Sequence, residues 1–436
     1  MVQISMLESA QGNARQKVSS SISKTILSNV LWLSSSSLIS QGLTALSILI
    51  TARSLGPASF GQYSACIALT KLSSIIFNLG MDTWLLRGGR RDEKSAGITI
   101  ASVIATKIAL GMIWGLFLLM LSRVLDPDTY PLPVLWISAA VTWMEALLIT
   151  VWQSYNIFLK NYLTLRLTVI SSSGLLISTL ALASIPCNEP LWFLGARGLV
   201  DAITTGIGLV WLARISPLRL NCSYIPKLLI WSLPFAISDL MLTIYTQIDV
   251  TMVALLLDAR SAGLYSSASS ILRAVFVFPA AVHSVMTPIM SQLAYQANLS
   301  LFAKTARRIY LWLCITGLGL WLSMFEAGPM LIRMILRENF NLAGNILMVL
   351  SAILFLKSCS YASATIIIAT NNQVWRIVIQ GIVALVNVGL NFLVIPIYGV
   401  VGAAWVYVIS EAFLSFGYLI IATKGYLGLS YLCKRV

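Results

Sequence analysis

Long apolar runs separated by short polar turns make up most of the chain from residue 30 onward. Each run is about as long as the roughly 20 residues that an α-helix needs to cross a bilayer core. The first run follows a polar segment and is too long for the core of a signal peptide, so we interpret it as a retained span. The pattern predicts twelve transmembrane helices, with ten as the alternative, at 30–52, 60–86, 96–121, 131–154, 162–185, 191–213, 228–256, 262–292, 309–332, 343–369, 374–396 and 400–422.

The composition agrees with this pattern and excludes several classes of protein. Of the 436 residues, 58% are hydrophobic and only 10% are charged, against about 25% charged in a typical soluble domain. This charge cannot cover a soluble surface, which excludes a soluble enzyme, a nucleic-acid-binding domain and a disordered protein. One histidine, His283, and six scattered cysteines give no basis for a metal site or a histidine-based triad. We therefore predict a membrane transporter without a resident cofactor, and not an enzyme.

The charges of the loops predict how the chain is oriented. With the N-terminus in the cytoplasm, nineteen Lys and Arg residues fall on the inner side and five on the outer side. Cytoplasmic loops of membrane proteins are enriched in these residues, so we predict cytoplasmic N- and C-termini and an even number of spans. The same distribution accounts for most of the net charge of +14.

Two segments of the chain repeat one another. Residues 55–64 and 257–266 share five of ten residues at a shift of 202, and each leads from an outer turn into the next helix. The repeat matches Gly61 with Gly263, where glycine would permit a tight helix entry. Because six spans per half is an even number, the repeat is parallel, with a pseudo-two-fold axis along the membrane normal. We therefore predict an all-α polytopic fold whose two six-helix lobes enclose a central cavity and are joined by a cytoplasmic linker: 1–213, 228–436 and, between them, 214–227.

Basic residues inside the predicted spans are functional candidates, because each costs at least about 2.5 kcal/mol at mid-bilayer and normally faces a cavity or a partner. Lys71 and Arg273 are one repeat apart, at corresponding depths in spans 2 and 8. Facing each other, they would bind an anionic group such as phosphate; alternatively, each pairs with a carboxylate or snorkels. Lys107 and Lys357 either extend this lining or form buried pairs. Arg197, near a span entrance, is interpreted as interfacial.

The acidic and polar residues inside the spans leave more than one interpretation open. Asp249, Glu145 and Glu411 are candidates for charge pairing or for coupling to H⁺ or Na⁺, with pairing favoured for Asp249. In the first span, Gln41 and Thr44 belong to a polar stripe with helical spacing, which would line a hydrated path for sugars or bond to a neighbouring helix. Three prolines are expected to kink spans 7 and 8: Pro234, Pro279 and Pro288.

Several short motifs, taken in their order along the chain, are similar to those of a known family. They are Leu55–Tyr63, Asn78–Asp82 with Arg87 nearby, Gln247–Asp249 leading to Ala262–Tyr265, and Tyr398–Ala404 at the start of the last span. In these motifs the chain resembles the Wzx-type oligosaccharide flippases of the MOP exporter superfamily, which also includes the MATE drug exporters and the lipid II flippases. Twelve spans fit this family better than the lipid II flippases, which usually carry two more.

The resemblance implies a MATE-like fold and a function in polysaccharide biosynthesis, such as that of O-antigen and lipopolysaccharide. It implies that undecaprenyl-pyrophosphate-linked oligosaccharide repeat units move from the cytoplasmic to the periplasmic face of the bacterial inner membrane. The implied partners are this lipid-linked substrate, the lipid bilayer and, downstream, a polysaccharide polymerase and chain-length proteins, with no nucleic acid. Two alternatives stay open. They are a flippase for another polyprenyl-linked lipid and a MATE-type drug/cation antiporter, which a first span without Asp or Glu does not favour.

Overall fold

The computed structural model of the chain describes residues 2–88, 93–185, 189–296, 299–336 and 338–433. Over these ranges the protein is helical and contains no β-strand. A helix satisfies its own backbone hydrogen bonds, which is why an apolar chain in lipid takes this form. In chain order the α-helices are α1 (Val2–Ser73), α2 (Ile75–Asn78), α3 (Met81–Gly88), α4 (Glu93–Leu121), α5 (Leu132–Ile157), α6 (Asn161–Ala183), α7 (Pro190–Ile215), α8 (Ile225–Leu256), α9 (Ala259–Val275), α10 (Val277–Tyr295), α11 (Leu299–Leu336), α12 (Asn341–Leu350), α13 (Ala352–Ala369) and α14 (Gln373–Cys433).

Nine helical segments of the described chain are long and apolar enough to cross a membrane, and the bent α9–α10 pair makes a tenth. The predicted fold class, a polytopic all-α membrane protein, is confirmed. Two of the segments are Ser35–Asn78, in α1 and α2, and Gln373–Gly425, in α14; they contain 44 and 53 residues, whereas one crossing takes about 20. Helices α1 and α14 leave helical geometry at Gly56 and Gly399, where the sequence predicts the turns between spans 1 and 2 and between spans 11 and 12. The total of twelve stays a prediction.

The predicted kink of span 8 is confirmed and has a local cause. The span bends by 43° between α9 and α10, and α9 ends at Val275. Pro279 has no N–H to donate to the carbonyl of Val275, and its ring would clash with that carbonyl. In contrast, α8 continues as one helix through Pro234.

Span 2 is discontinuous, which the apolar pattern does not predict. Between α2 and α3, Leu79 and Gly80 have positive φ angles of 41° and 68°. The Gly80 backbone lies against α8, where a Cβ would be 2.4 Å from the backbone nitrogen of Ala236, so the position requires glycine. The break also brings α3 to α8, and the Thr83 hydroxyl donates to the Asp239 carboxylate at 3.0 Å.

The two halves of the chain approach each other most closely at the end predicted to be the outer one. Gly61 in α1 and Gly263 in α9 pack backbone to backbone there. A Cβ on Gly61 would lie 1.6 Å from the carbonyl oxygen of Ala259, and one on Gly263 would lie 2.0 Å from that of Pro57. The glycines that match in the repeat therefore meet across the boundary between the halves.

The largest buried apolar cluster surrounds this glycine contact. It contains side chains from both halves, among them Phe60, Tyr63, Leu264, Tyr265 and Phe340. Three smaller clusters draw on one half each. Packing thus joins the halves at the predicted outer end, and a second cluster joins them around α3 and α8, where Leu85, Leu228 and Phe235 are packed together.

The lobe boundaries and the orientation stay predictions. Within the predicted linker, α7 ends at Ile215 and α8 begins at Ile225, so the linker coincides with a break between helices. Some of the basic residues that predict the orientation lie outside the described residues: Arg90, Arg91, Lys434 and Arg435.

Candidate functional site

A cavity of about 460 Å³ lies between the two halves. Helices α1, α5, α6 and α7 form one side of its wall, and α8, α9 and α13 form the other. The structure brings four of the predicted substrate-binding residues into this wall: Gln41, Thr44, Lys71 and Arg273.

The first half of the chain contributes a charge network to the wall. Lys71 Nζ donates to Glu145 Oε1 at 2.9 Å, and Arg197 Nη2 donates to Glu145 Oε2 at 3.1 Å. Arg197 Nε also lies 4.0 Å from Asp201 Oδ2. The network therefore joins α1, α5 and α7 and balances two cations with two carboxylates.

Arg273 on α9 provides the charge of the opposite side. Its side chain is exposed to the cavity, and Nη2 donates to Ser270 Oγ at 3.1 Å. Among the described residues, no carboxylate lies within 4.0 Å of its guanidinium group. The cavity wall therefore carries a surplus of one positive charge, located at Arg273.

The predicted pair of Lys71 and Arg273 is thus present in the cavity, but its members are not equivalent. Lys71 is neutralised by Glu145, whereas Arg273 has no such partner in the described part of the chain. The interpretation of Arg197 as interfacial was wrong, because its side chain is 12% exposed and bonded to Glu145. The spacing of four between Arg197 and Asp201, which places both on one helix face, was the signal that could have found this network.

Lys107 is absent from the cavity wall, and of its two predicted roles the structure supports buried pairing. Its ammonium group is fully buried, 2.6 Å from Asp82 Oδ2, and also donates to the Ala146 carbonyl at 3.2 Å. The other oxygen of Asp82 accepts from Thr150 Oγ1 at 2.8 Å. These bonds tie α3 and α4 to α5 within the first half.

Lys357 and Glu411 form the corresponding buried pair in the second half, and neither lines the cavity. Their charged groups are 3.6 Å apart. The Tyr245 hydroxyl donates to Glu411, and Ser360 donates to the other carboxylate oxygen at 3.3 Å. The Lys357 ammonium group also lies 5.0 and 5.1 Å from the ring centres of Tyr245 and Phe276, a cation–π arrangement. For both residues the structure favours the pairing interpretation.

Asp249 on α8 does not pair with Arg273. Its carboxylate accepts from Asn391 Nδ2 at 2.7 Å, and Asn391 donates in turn to Asn387 Oδ1 at 2.9 Å. Asn387 donates to Ser410 at 3.2 Å. A buried carboxylate thus sits in a network of neutral amides and hydroxyls that links α8 to α14.

Part of the polar stripe of the first span lines the cavity, and the rest bonds within its own helix and not to a neighbouring one. Gln41 and Thr44 line the cavity, and Gln41 Nε2 donates to Ser37 Oγ at 2.8 Å. Ser47 and Thr51 are buried and donate to carbonyls of their own helix.

His283 is half-buried and Cys66 and Cys359 are buried, whereas Cys222 is exposed. His283 Nδ1 lies 2.8 Å from Thr365 Oγ1, and its ring stacks on Tyr361. Cys66, Cys314 and Cys359 are free thiols, whereas Cys187 lies outside the described residues. No group of three potential metal-binding His, Cys, Asp or Glu side chains occurs in the described chain.

The chain is thus a bundle of helices long and apolar enough to cross a membrane, with a charged cavity between its two halves. The sequence profile of the family described as "Polysaccharide biosynthesis protein" matches residues 26–294. The chain belongs to this family. No curated protein sequence matches the chain.

Several solved structures of membrane proteins have a similar fold. An inward-facing multidrug resistance MATE family transporter has a TM-score of 0.72 at 14% identity, covering 90% of this chain and 96% of its own. The lipid II flippase MurJ, in an inward closed conformation, has a TM-score of 0.74 at 15% identity, with coverages of 92% and 90%. A MOP transporter from Pyrococcus furiosus has a TM-score of 0.60 at 15% identity, with coverages of 94% and 96%. The MATE-like fold is therefore confirmed, and the chain is a multi-pass membrane protein.

Proposed function

We propose that the protein translocates undecaprenyl-pyrophosphate-linked oligosaccharide repeat units from the cytoplasmic to the periplasmic face of the bacterial inner membrane. The observation that carries this proposal is the unpaired Arg273 in a cavity wall with a surplus of positive charge. A pyrophosphate group cannot enter hydrocarbon unaided, and an arginine fork is well suited to bind it. The family assignment supports a role in polysaccharide biosynthesis.

The parts of such a substrate match different parts of the molecule. Arg273 would bind the pyrophosphate, with Lys71 on the opposite wall. Gln41, Thr44 and the cavity-lining Gln247 offer hydrogen bonds to sugar hydroxyl groups. The polyprenyl tail is apolar. It would pass out through a lateral opening between the two halves and remain in the surrounding bilayer throughout transport.

Alternating access supplies the mechanism. Contact between Gly61 and Gly263 holds the halves together at the predicted outer end, and contact between α3 and α8 joins them near the predicted inner end. In the proposed cycle the α3–α8 contact opens to admit the substrate from the cytoplasmic side. Rocking of the two halves would separate these glycines and release the substrate to the periplasm, where a polymerase and chain-length proteins would use it.

Coupling to H⁺ or Na⁺ is a further part of the proposal, and Asp249 is its best candidate. Its carboxylate is bonded to a neutral amide and has no cationic partner within 4.0 Å in the described chain. It could therefore take up a cation or a proton. Glu145 and Glu411 are less suitable because each is already neutralised by a basic side chain.

The two alternative functions differ in how well they fit the cavity. A drug/cation antiporter needs a free carboxylate for its cargo, but Glu145 and Asp201 are bonded to Arg197 and the wall is cationic as a whole. A flippase for another polyprenyl-linked lipid uses the same pyrophosphate chemistry and differs only in the glycan.

Complementation of a flippase-deficient bacterial strain, scored by surface polysaccharide, tests the proposal. We expect the wild-type protein to restore surface polysaccharide with at least one defined glycan. Arg273→Gln should reduce the amount at least about tenfold, because the substrate loses one charged hydrogen-bonding partner. Arg273→Lys keeps the charge and should retain part of the activity. The matched control is Arg333→Gln, which changes an exposed arginine at the far end of α11 and should behave as wild type at equal protein level.

Two results would contradict the proposed function. Failure with every glycan, combined with drug resistance on expression, would favour the antiporter. Normal polysaccharide with Arg273→Gln at equal protein level would show that Arg273 does not bind the substrate.

A further inference from the structure

Glu145 occupies a position in the cavity wall that suits an anionic ligand. Its two carboxylate oxygens accept separately from Lys71 and Arg197, at 2.9 and 3.1 Å. One carboxylate thus bridges cations from two different helices. A phosphate group binds to basic side chains in the same way, so Glu145 fills a site that a phosphate of the substrate could occupy.

The hydrogen bonds of Glu145 differ from those of the other paired carboxylates. In the described chain, its only hydrogen-bond donors are the two cations. Asp82 also accepts from Thr150, and Glu411 also accepts from Ser360. The Glu145 side chain is 26% exposed, more than that of any other carboxylate in these ion pairs, whereas Glu411 is 1% exposed. Of these carboxylates, Glu145 can therefore move into the water of the cavity most readily, because no hydroxyl group would lose its acceptor.

The charge balance of the cavity favours this movement when a pyrophosphate binds. With Glu145 in place, the wall has a surplus of one positive charge, so a doubly charged pyrophosphate diester would make it net negative. With Glu145 turned away, the remaining charges and the ligand compensate each other. They are the cations Lys71, Arg197 and Arg273 and the carboxylate Asp201.

We infer that Glu145 is a specificity-determining counter-anion, which holds Lys71 and Arg197 in the empty cavity and is displaced from both by the pyrophosphate of the substrate. This inference rests on the proposed function and deepens it, since it requires an anionic substrate. A singly charged anion competes poorly with a carboxylate that already bridges both cations. Glu145 thereby selects a doubly charged group over singly charged anions.

Binding of inorganic pyrophosphate to the purified full-length protein tests the inference. We would titrate it by calorimetry in detergent micelles without Mg²⁺, for the wild type, Glu145→Gln and Glu145→Asp. The pH is kept below the second pKa of orthophosphate, where orthophosphate is mainly singly charged and inorganic pyrophosphate mainly doubly charged. We expect Glu145→Gln to bind pyrophosphate about tenfold more tightly, because the internal competitor is gone, and to gain measurable affinity for orthophosphate. Glu145→Asp keeps the charge but cannot reach both cations, so its affinity should lie between the two. The matched control is Glu326→Gln, an exposed carboxylate on α11, which should bind as the wild type does.

Several outcomes would overturn the inference. Binding that is unchanged or weaker in both Glu145 variants would show that the carboxylate is not a competitor, and so would absence of pyrophosphate binding in all four proteins. If Glu145→Gln does not fold, as judged by thermal unfolding and gel filtration, Glu145→Asp alone decides the question.

The inference and the proposed function can fail separately. A gain in pyrophosphate affinity in the Glu145 variants, together with failed complementation for every glycan, would retain the counter-anion and reject the glycan substrate. Successful complementation by the wild type without any change of affinity in the variants would support the glycan substrate and reject the counter-anion role of Glu145.

Discussion

At the scale of single residues, the buried basic side chains divide into two groups according to what surrounds them. Lys107 and Lys357 are each held within one half by a carboxylate and further polar or aromatic contacts. Lys71, Arg197 and Arg273 lie in the cavity wall between the halves. We expect changes in the first group to alter stability, and changes in the second to alter transport.

Lys107→Met tests the structural role of a buried pair. It leaves the Asp82 carboxylate without its cation, and breaking a buried pair in this way costs about 3–5 kcal/mol. We expect the free energy of unfolding, measured by denaturant titration in micelles, to fall by about 3 kcal/mol. The double variant Lys107→Met/Asp82→Leu removes both charges and should recover much of this loss.

The control for this prediction is Lys304→Met, which makes the same change at an exposed position of α11. It should change the free energy of unfolding by less than about 0.5 kcal/mol. Equal stability of Lys107→Met and Lys304→Met would contradict the structural role of Lys107.

At the scale of helices, the contact between α1 and α9 holds the two halves together at the predicted outer end. The halves approach within backbone contact at Gly61 and Gly263, where even one methyl group has no space. Adding a methyl group to a closely packed contact destabilises the packed state by about 1–3 kcal/mol. A single added Cβ should therefore shift the equilibrium away from the closed outer end.

Gly263→Ala should hold the two halves apart at the predicted outer end. We would measure the distance by spin-label spectroscopy between Asp128→Cys and Asn339→Cys, two exposed positions in the predicted outer loops, after replacing the exposed Cys222 by serine. The variant should show a longer distance than the parent protein and reduced transport.

Gly195→Ala is the matched control for the helix contact, because a Cβ at Gly195 would meet no atom within 4 Å. Its distance distribution and its transport should equal those of the parent. A closed outer end in Gly263→Ala would mean that the glycine contact does not limit this movement.

At the scale of the whole molecule, the proposed coupling links Asp249 in α8 to movement of both halves. In proteoliposomes with a fluorescent polyprenyl-pyrophosphate glycan, we expect wild-type transport to rise at least about tenfold under a Na⁺ or H⁺ gradient, a change equivalent to 1.4 kcal/mol. Asp249→Asn is nearly isosteric and cannot bind either ion through a carboxylate, so it should lose this response and retain the slow gradient-free rate.

An exposed loop carboxylate provides the comparison for the coupling test. Asp128→Asn removes the same charge from an exposed turn and should respond to the gradient as the wild type does. A full response in Asp249→Asn would place the coupling elsewhere, or would indicate that consumption of the product outside drives transport.

The sequence by itself determined the class of the molecule and its local features. Apolar runs of span length predict helices because a helix forms its hydrogen bonds between residues four apart, so the information is local. For the same reason Pro279 predicts the kink that the structure contains. The repeat correctly matched Gly61 with Gly263, and depth along the spans correctly selected Lys71 and Arg273 as cavity residues.

Only the tertiary structure decided which charges are neutralised and which stay available. Lys71 and Glu145 are 74 residues apart in the chain, and Arg197 joins them from a third helix, so no local pattern records their contact. The break in span 2 at Gly80 was also not predictable from the sequence, because Gly80 lies against the backbone of α8, which is distant in the chain. Partners of a buried charge depend on how helices pack in three dimensions. That packing left Arg273 without a carboxylate partner among the described residues, and the functional proposal depends on this feature.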